Sequence, residues 1–140
     1  MDSFNFTLVS PERQLLSTEV TMAVIPGERG DMGVLAQHAA TIAALRPGLV
    51  ELYQQGEVSE RIYIAGGFAN INERGCNVLT EQCIFVRDLN QDEIEQHIRN
   101  CLEDLALSHQ QEQRAALERD MKLANIQLDI IKRLRGREQA

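Results

Sequence analysis

All three prolines and eight of the nine glycines of this chain lie before Arg87, and from Asp88 only Gly136 breaks the pattern. Glycine and proline punctuate turns and weaken helices, so their loss at one point divides the chain into two halves that obey different rules. Before Arg87, apolar residues come in short runs: Phe4-Asn5-Phe6-Thr7-Leu8-Val9, Glu19 to Ile25, Leu49-Val50-Glu51-Leu52-Tyr53, Arg61-Ile62-Tyr63-Ile64-Ala65 and Cys76-Asn77-Val78-Leu79-Thr80. Several alternate with a period of two, the mark of strands with one buried face. Between them Ser10-Pro11-Glu12, Pro26-Gly27-Glu28, Arg46-Pro47-Gly48, Gln55-Gly56, Gly66-Gly67 and Glu73-Arg74-Gly75 supply turn chemistry at the spacing of a small antiparallel sandwich or barrel.

After Arg87 the period becomes helical. Asn90 followed by Glu93 resembles a capping box, and Ile94, Ile98, Cys101, Leu102 and Leu105 then recur at helical spacing, predicting a first helix over 91–106. Ser108 with Gln111 offers a second cap, opening a helix that runs to about Leu134. At 100° per residue this second helix carries two apolar stripes, Leu117, Met121, Ala124, Leu128 and Ile131 on one and Ala116, Leu123, Ile130 and Leu134 on the other. One stripe suits the first helix; the second needs either the β half or another protein, since each large aliphatic left in water forgoes roughly 1.5–3 kcal/mol. The predicted class is α+β: an N-terminal antiparallel β-sandwich or barrel over 1–87 and a C-terminal two-helix hairpin over 88–140.

Charge narrows the function classes. The formal net charge is −7, which disfavours nucleic-acid backbones and anionic lipid as general partners. Residues 1–87 carry six Lys/Arg against ten Asp/Glu and residues 88–131 four against ten, so Lys132, Arg133, Arg135 and Arg137 form a basic island at the end of an acidic chain. Aromatic content of 4% with no Trp offers no platform for stacking bases. Met1-Asp2-Ser3-Phe4 has neither a basic nor an apolar signal segment, and no apolar run approaches the ~20 residues that cross a bilayer, so a soluble, unexported chain is expected. Three cysteines without a CxxC pair fit reduced thiols.

No enzyme site emerges from the motifs. Gly27, Gly30 and Gly33 follow a strand, but their spacing is not that of a phosphate loop, no Lys-Ser/Thr follows, and Glu28 and Asp31 would repel a phosphate. Tight turns between strands account for them better. His38 with Cys76 or Cys83 would be a base and a nucleophile, yet unpaired cysteines in strand-like runs are usually inert core residues. Glu93, His97 and Cys101 stand at i, i+4 and i+8 and would converge on a metal, although Cys101 also belongs to the apolar stripe, and no cofactor or metal is expected.

Three segments nevertheless carry a specific signature. Pro26-Gly27 followed by "GDMGVLAQHA" (30–39), "LRPG" (45–48) and "IAGGFANI" (64–71) resemble the epsilon subunit of the bacterial F-type ATP synthase, and the resemblance covers essentially the whole chain in order. Gln37 stands before His38 where that family commonly has Gly, a departure that bears on loop conformation.

The resemblance implies a non-catalytic central-stalk subunit at the cytoplasmic face of the bacterial inner membrane. Its sandwich would dock on the gamma subunit and touch the c-ring, with Asp31 at the c-ring and His38 and Ile42 near gamma. The hairpin would regulate ATP hydrolysis by folding down or extending toward the alpha and beta subunits, with Lys132, Arg133, Arg135 and Arg137 meeting an acidic segment of beta. Members that bind ATP carry Ile/Leu-Asp-x-x-Arg-Ala at the start of the first helix. The matching stretch here is Leu89-Asn90-Gln91-Asp92-Glu93-Ile94, in which Glu93 replaces the arginine and would repel phosphate, so weak or no ATP binding is expected. The alternative is a free-standing, non-enzymatic protein-binding module.

Overall fold

A computed structural model describes residues 2–139. The chain divides into two compact units, residues 1–87 and 88–140. The first contains eight strands: β1 (Phe4–Val9), β2 (Gln14–Val20), β3 (Met22–Gly27), β4 (Gly30–Leu35), β5 (Thr41–Gln54), β6 (Glu57–Asn72), β7 (Gly75–Leu79) and β8 (Cys83–Phe85). They form one sheet in the order β2-β1-β7-β6-β5-β3-β4, with β8 added beside β6.

Two features depart from the expected antiparallel arrangement of short strands. First, β1 pairs parallel with β7, in the register Phe6 with Cys76 and Leu8 with Val78, so the sheet is mixed. The hydrophobic alternation that identifies a strand says nothing of its direction, and this pairing joins segments about seventy residues apart. Secondly, Arg46-Pro47-Gly48 and Gly66-Gly67 are not turns but lie inside β5 and β6, where Pro47 stands opposite Ala65 and Leu45 opposite Gly67. The buried set changes parity across this point, from Leu45 to Val50 and Leu52 on β5 and from Ile62 and Ile64 to Ala69 and Ile71 on β6. The strand pair bends here. Gly67 has φ +139, and a Cβ there would sit 2.0 Å from the Leu79 carbonyl oxygen, so the bend requires glycine.

The turn residues behave as expected elsewhere. Gln55-Gly56 connects β5 to β6 with φ of 54 and 84, the positive values at both central positions of a type I′ hairpin. Glu19 to Ile25 is not one run: it breaks at Thr21, whose hydroxyl donates to the Tyr53 carbonyl. The inward faces of β1 to β7 enclose one core, including Phe6, Leu8, Ile25, Val50, Leu52, Ile62, Ile64 and Ile71, all fully buried.

The second unit is a helical pair, α1 (Gln91–Leu107) and α2 (Gln111–Gln139). Asn90 caps α1 by accepting the backbone N–H of Glu93 at 3.0 Å, satisfying one of the helix's orphan donors. Ser108 is not the cap of α2. It is the C-cap of α1, its backbone N–H donating to the Leu105 carbonyl, and the Arg114 guanidinium donates to the Leu105 and Ser108 carbonyls at 2.7 and 3.2 Å, reinforcing the end of α1. Ile94 packs with Ala124, Leu128 and Ile131, so the first apolar stripe is the seam between the helices. On the second stripe Ile130 is buried, Leu123 and Leu134 are half-buried and Ala116 is exposed. The helix passes Leu134 and Gly136 without a break.

Candidate docking surface

The glycine segment that begins at Gly27 forms a hairpin. Gly27 pairs with Gly30 across the two-residue connection Glu28-Arg29, and a Cβ on Gly27 would lie 2.7 Å from the Gly30 carbonyl oxygen. The Glu28 N–H donates to the Ala44 carbonyl, tying the hairpin tip to β5. Gly27 serves the close approach of two backbones, whereas Gly30 supplies a φ of +141 that side chains disfavour.

Asp31 lies just past this tip on β4, and its carboxylate is 2.5 Å from a guanidinium nitrogen of Arg46 on β5. The other terminal nitrogen of Arg46 donates to the Gly27 carbonyl. Nothing in the local pattern announced Arg46, whose partners lie on two other strands. Asp31 and Ile42 line one open groove together with Met32, Thr41 and Ala44. His38, half-buried in the β4–β5 loop, does not line it; its Nδ1 sits 2.7 Å from the Ala39 carbonyl oxygen. The preceding residue, Gln37, has φ +63, so the position where glycine is commonly found has kept a left-handed backbone with a side chain that disfavours it.

Beyond the groove the sheet presents two rows of unlike character. Alternation that buries Leu45, Ala69 and Val78 turns Ile42, Ala44, Phe68 and Leu79 outward. Ala44 stands opposite Phe68, Phe68 opposite Leu79, and Leu79 opposite Val9, an apolar row across four strands. Phe68 is 58% exposed and Ile42 77%. The neighbouring row is amide and hydroxyl: Asn70, Asn77, Thr7 and Ser17, with the Thr7 hydroxyl hydrogen-bonded to Asn77. Exposed apolar groups beside a polar row on a rigid sheet suit recognition of a protein surface.

The chemistry candidates do not assemble into a site. Cys76 is fully buried in the core, and burial pushes its thiol up to about 12, so it is protonated at neutral pH and no nucleophile. Burial also raises Cys83, against a smaller lowering by Arg13. On α1 the His97 Nε2 lies 3.7 Å from Cys101 Sγ, and burial with the carboxylates of Asp120 and Asp104 raises that thiol. Among the described residues no three His, Cys, Asp or Glu side chains converge as metal ligands. Glu93 is exposed in the first turn of α1, where a carboxylate complements the helix dipole.

The basic island is partly engaged within the helical pair. Arg133 pairs with Asp129 one turn back at 3.2 Å, and Arg135 donates to the Gln91 side chain at the start of α1. Lys132 and Arg137 are exposed. Among the described residues no helix is long and apolar enough to cross a membrane.

Comparison with known proteins accounts for this arrangement. The ATP synthase delta/epsilon chain β-sandwich domain matches residues 3–86. An ATP synthase epsilon chain of Rhizobium rhizogenes is 42% identical over 117 residues, covering 84% of this chain and 87% of that one. The epsilon chain of Parvibaculum lavamentivorans is 39% identical over 135 residues, 96% of each. Among solved structures, a chain of the Euglena gracilis mitochondrial ATP synthase, in an assembly of OSCP, F1 and c-ring, superposes with a TM-score of 0.77 at 22% identity, covering 92% of this chain and 81% of its own. With a sandwich domain, a two-helix continuation and relatives that match both along nearly their whole length, the chain belongs to the ATP synthase epsilon-chain family.

Proposed function

We propose that this chain is the non-catalytic rotor subunit that links gamma to the c-ring through its β unit and restrains ATP hydrolysis through its helical pair. The observation that carries the first half is the row of Ala44, Phe68 and Leu79, in which Phe68 and Leu79 are exposed, with the exposed Ile42 beside it at the end of the neighbouring row, opposite Asn70. Burying such a row against gamma returns the free energy that its exposure forgoes. On this reading Ile42 and His38 meet gamma, and the β3–β4 tip with Asp31 meets the c-ring. The complex sits at the cytoplasmic face of the inner membrane.

The second half rests on charge. Lys132, Arg133, Arg135 and Arg137 fall within six residues at the end of α2, where the helix dipole favours cations but does not require four. We assign them to an acidic segment of the beta subunit when the helices extend. Glu93, placed where ATP-binding relatives have arginine, leaves the hairpin with weak or no affinity for ATP. Co-purification of the full chain with separately expressed gamma tests the assignment: a stable one-to-one complex is expected, and failure to associate at micromolar concentrations would overturn it.

A further inference from the structure

Pro26 interrupts the joint between β3 and β5. It has no N–H to donate, and the pairing register of the two strands shifts between Val24 and Gly27. Beyond that slip the hairpin tip is tied to β5 by the Gly27–Leu45 pairing and the Glu28 N–H to Ala44 carbonyl bond. Arg46 supplies the missing restraint. Its planar fork spans two acceptors on two strands, the Gly27 carbonyl on β3 and the Asp31 carboxylate on β4. Asp31 and Arg46 both remain partly open to solvent, at 63% and 42% side-chain exposure, so neither is there to fill a core.

We propose that Arg46 is a positioning residue that holds the β3–β4 tip in its docking pose, with Asp31 as its internal anchor rather than a free charge offered to the partner. The inference rests on the reading that this tip meets the c-ring, and it refines how. A carboxylate already 2.5 Å from a guanidinium presents a neutral pair, so the ring meets the shape of the tip and its glycine backbone. Lysine would keep the charge but not the fork.

The test uses the full chain and its R46A, R46K, D31N and D31N/R46A variants. Amide hydrogen exchange over Gly30–Gly33 reads the tip, with Ile62–Ile64 in the core strand as internal control. Affinity for a purified gamma–c-ring subcomplex reads docking. R46A is expected to speed tip exchange and weaken docking by about three- to tenfold, with R46K between it and the parent. D31N should weaken docking in the parent and add nothing in the R46A background, because the anchor has lost what it anchors. Tip exchange unchanged in R46A would overturn the brace. An equal loss from D31N in both backgrounds would make Asp31 a direct charge contact and overturn its role as anchor. A parent chain that does not bind the subcomplex would overturn the docking reading, while the exchange measurement would still decide whether Arg46 braces the tip.

Discussion

Ile42 provides a sharp separation between stability and docking. It is 77% exposed at the start of β5, so truncation to alanine removes almost nothing from the core of the free subunit. The loss of β-branching at an exposed strand position should change unfolding free energy by less than about 1 kcal/mol. Fully burying an isoleucine side chain is worth about 1.5–3 kcal/mol, and most of that gain is still unrealised in the free chain. If gamma covers this residue, Ile42→Ala forfeits about 1–2 kcal/mol of association free energy, or about 5- to 30-fold in Kd. Titration calorimetry of the variant and the parent against gamma, alongside urea unfolding of each, measures both quantities. A Kd unchanged within twofold would place Ile42 outside the interface. A stability loss as large as the affinity loss would show that the side chain supports the fold instead.

Three further outcomes follow from the same geometry. Replacing Lys132, Arg133, Arg135 and Arg137 with alanine should relieve inhibition of ATP hydrolysis in the reconstituted catalytic complex at low salt, and high salt should mimic it on the parent; equal hydrolysis with both proteins would remove these charges from the brake, and Arg135→Ala alone controls for its bond to Gln91. Calorimetry with ATP should show no micromolar site on the full chain, whereas Glu93→Arg should raise affinity by restoring a phosphate partner; tight binding by the parent would refute this. Gly67→Ala should cost at least about 3 kcal/mol in urea unfolding, because its Cβ would fall 2.0 Å from a backbone oxygen at a φ that disfavours side chains; a loss under about 1 kcal/mol would mean the bend yields easily.

Local signals were legible in the residues and long-range ones were not. Period-two alternation marks β1 and β7 because one face of each is buried, and Gln55-Gly56 marks its hairpin because positive φ is needed at both positions. Asn90 marks the start of α1 because its side chain meets the Glu93 N–H. The same logic misplaced Arg46-Pro47-Gly48 and Gly66-Gly67, since residues that permit a turn also permit a strand to bend while its ladder continues. It passed over β4 altogether, because Gly30, Asp31 and Gly33 look like loop and the strand exists only through its pairing with β3. Ser108 carried the chemistry of an N-cap and closes the preceding helix instead. Of the docking surface, Ile42 and Asp31 were named through family resemblance, but the row through Phe68 and Leu79 depends on register across β5, β6 and β7, which alternation within one strand cannot convey. The Arg46 contact joins side chains fifteen positions apart on different strands, beyond the reach of any local pattern.

The division of labour between the two units is tested most directly by comparing the full chain with a fragment of residues 1–87 in a reconstituted complex of alpha, beta and gamma subunits. Both should bind gamma with similar affinity, because the turn-punctuated strands enclose their own core and carry the exposed row. Only the full chain should lower the rate of ATP hydrolysis. A fragment that fails to bind gamma, or one that inhibits as strongly as the full chain, would contradict an account in which the sheet docks and the helices restrain.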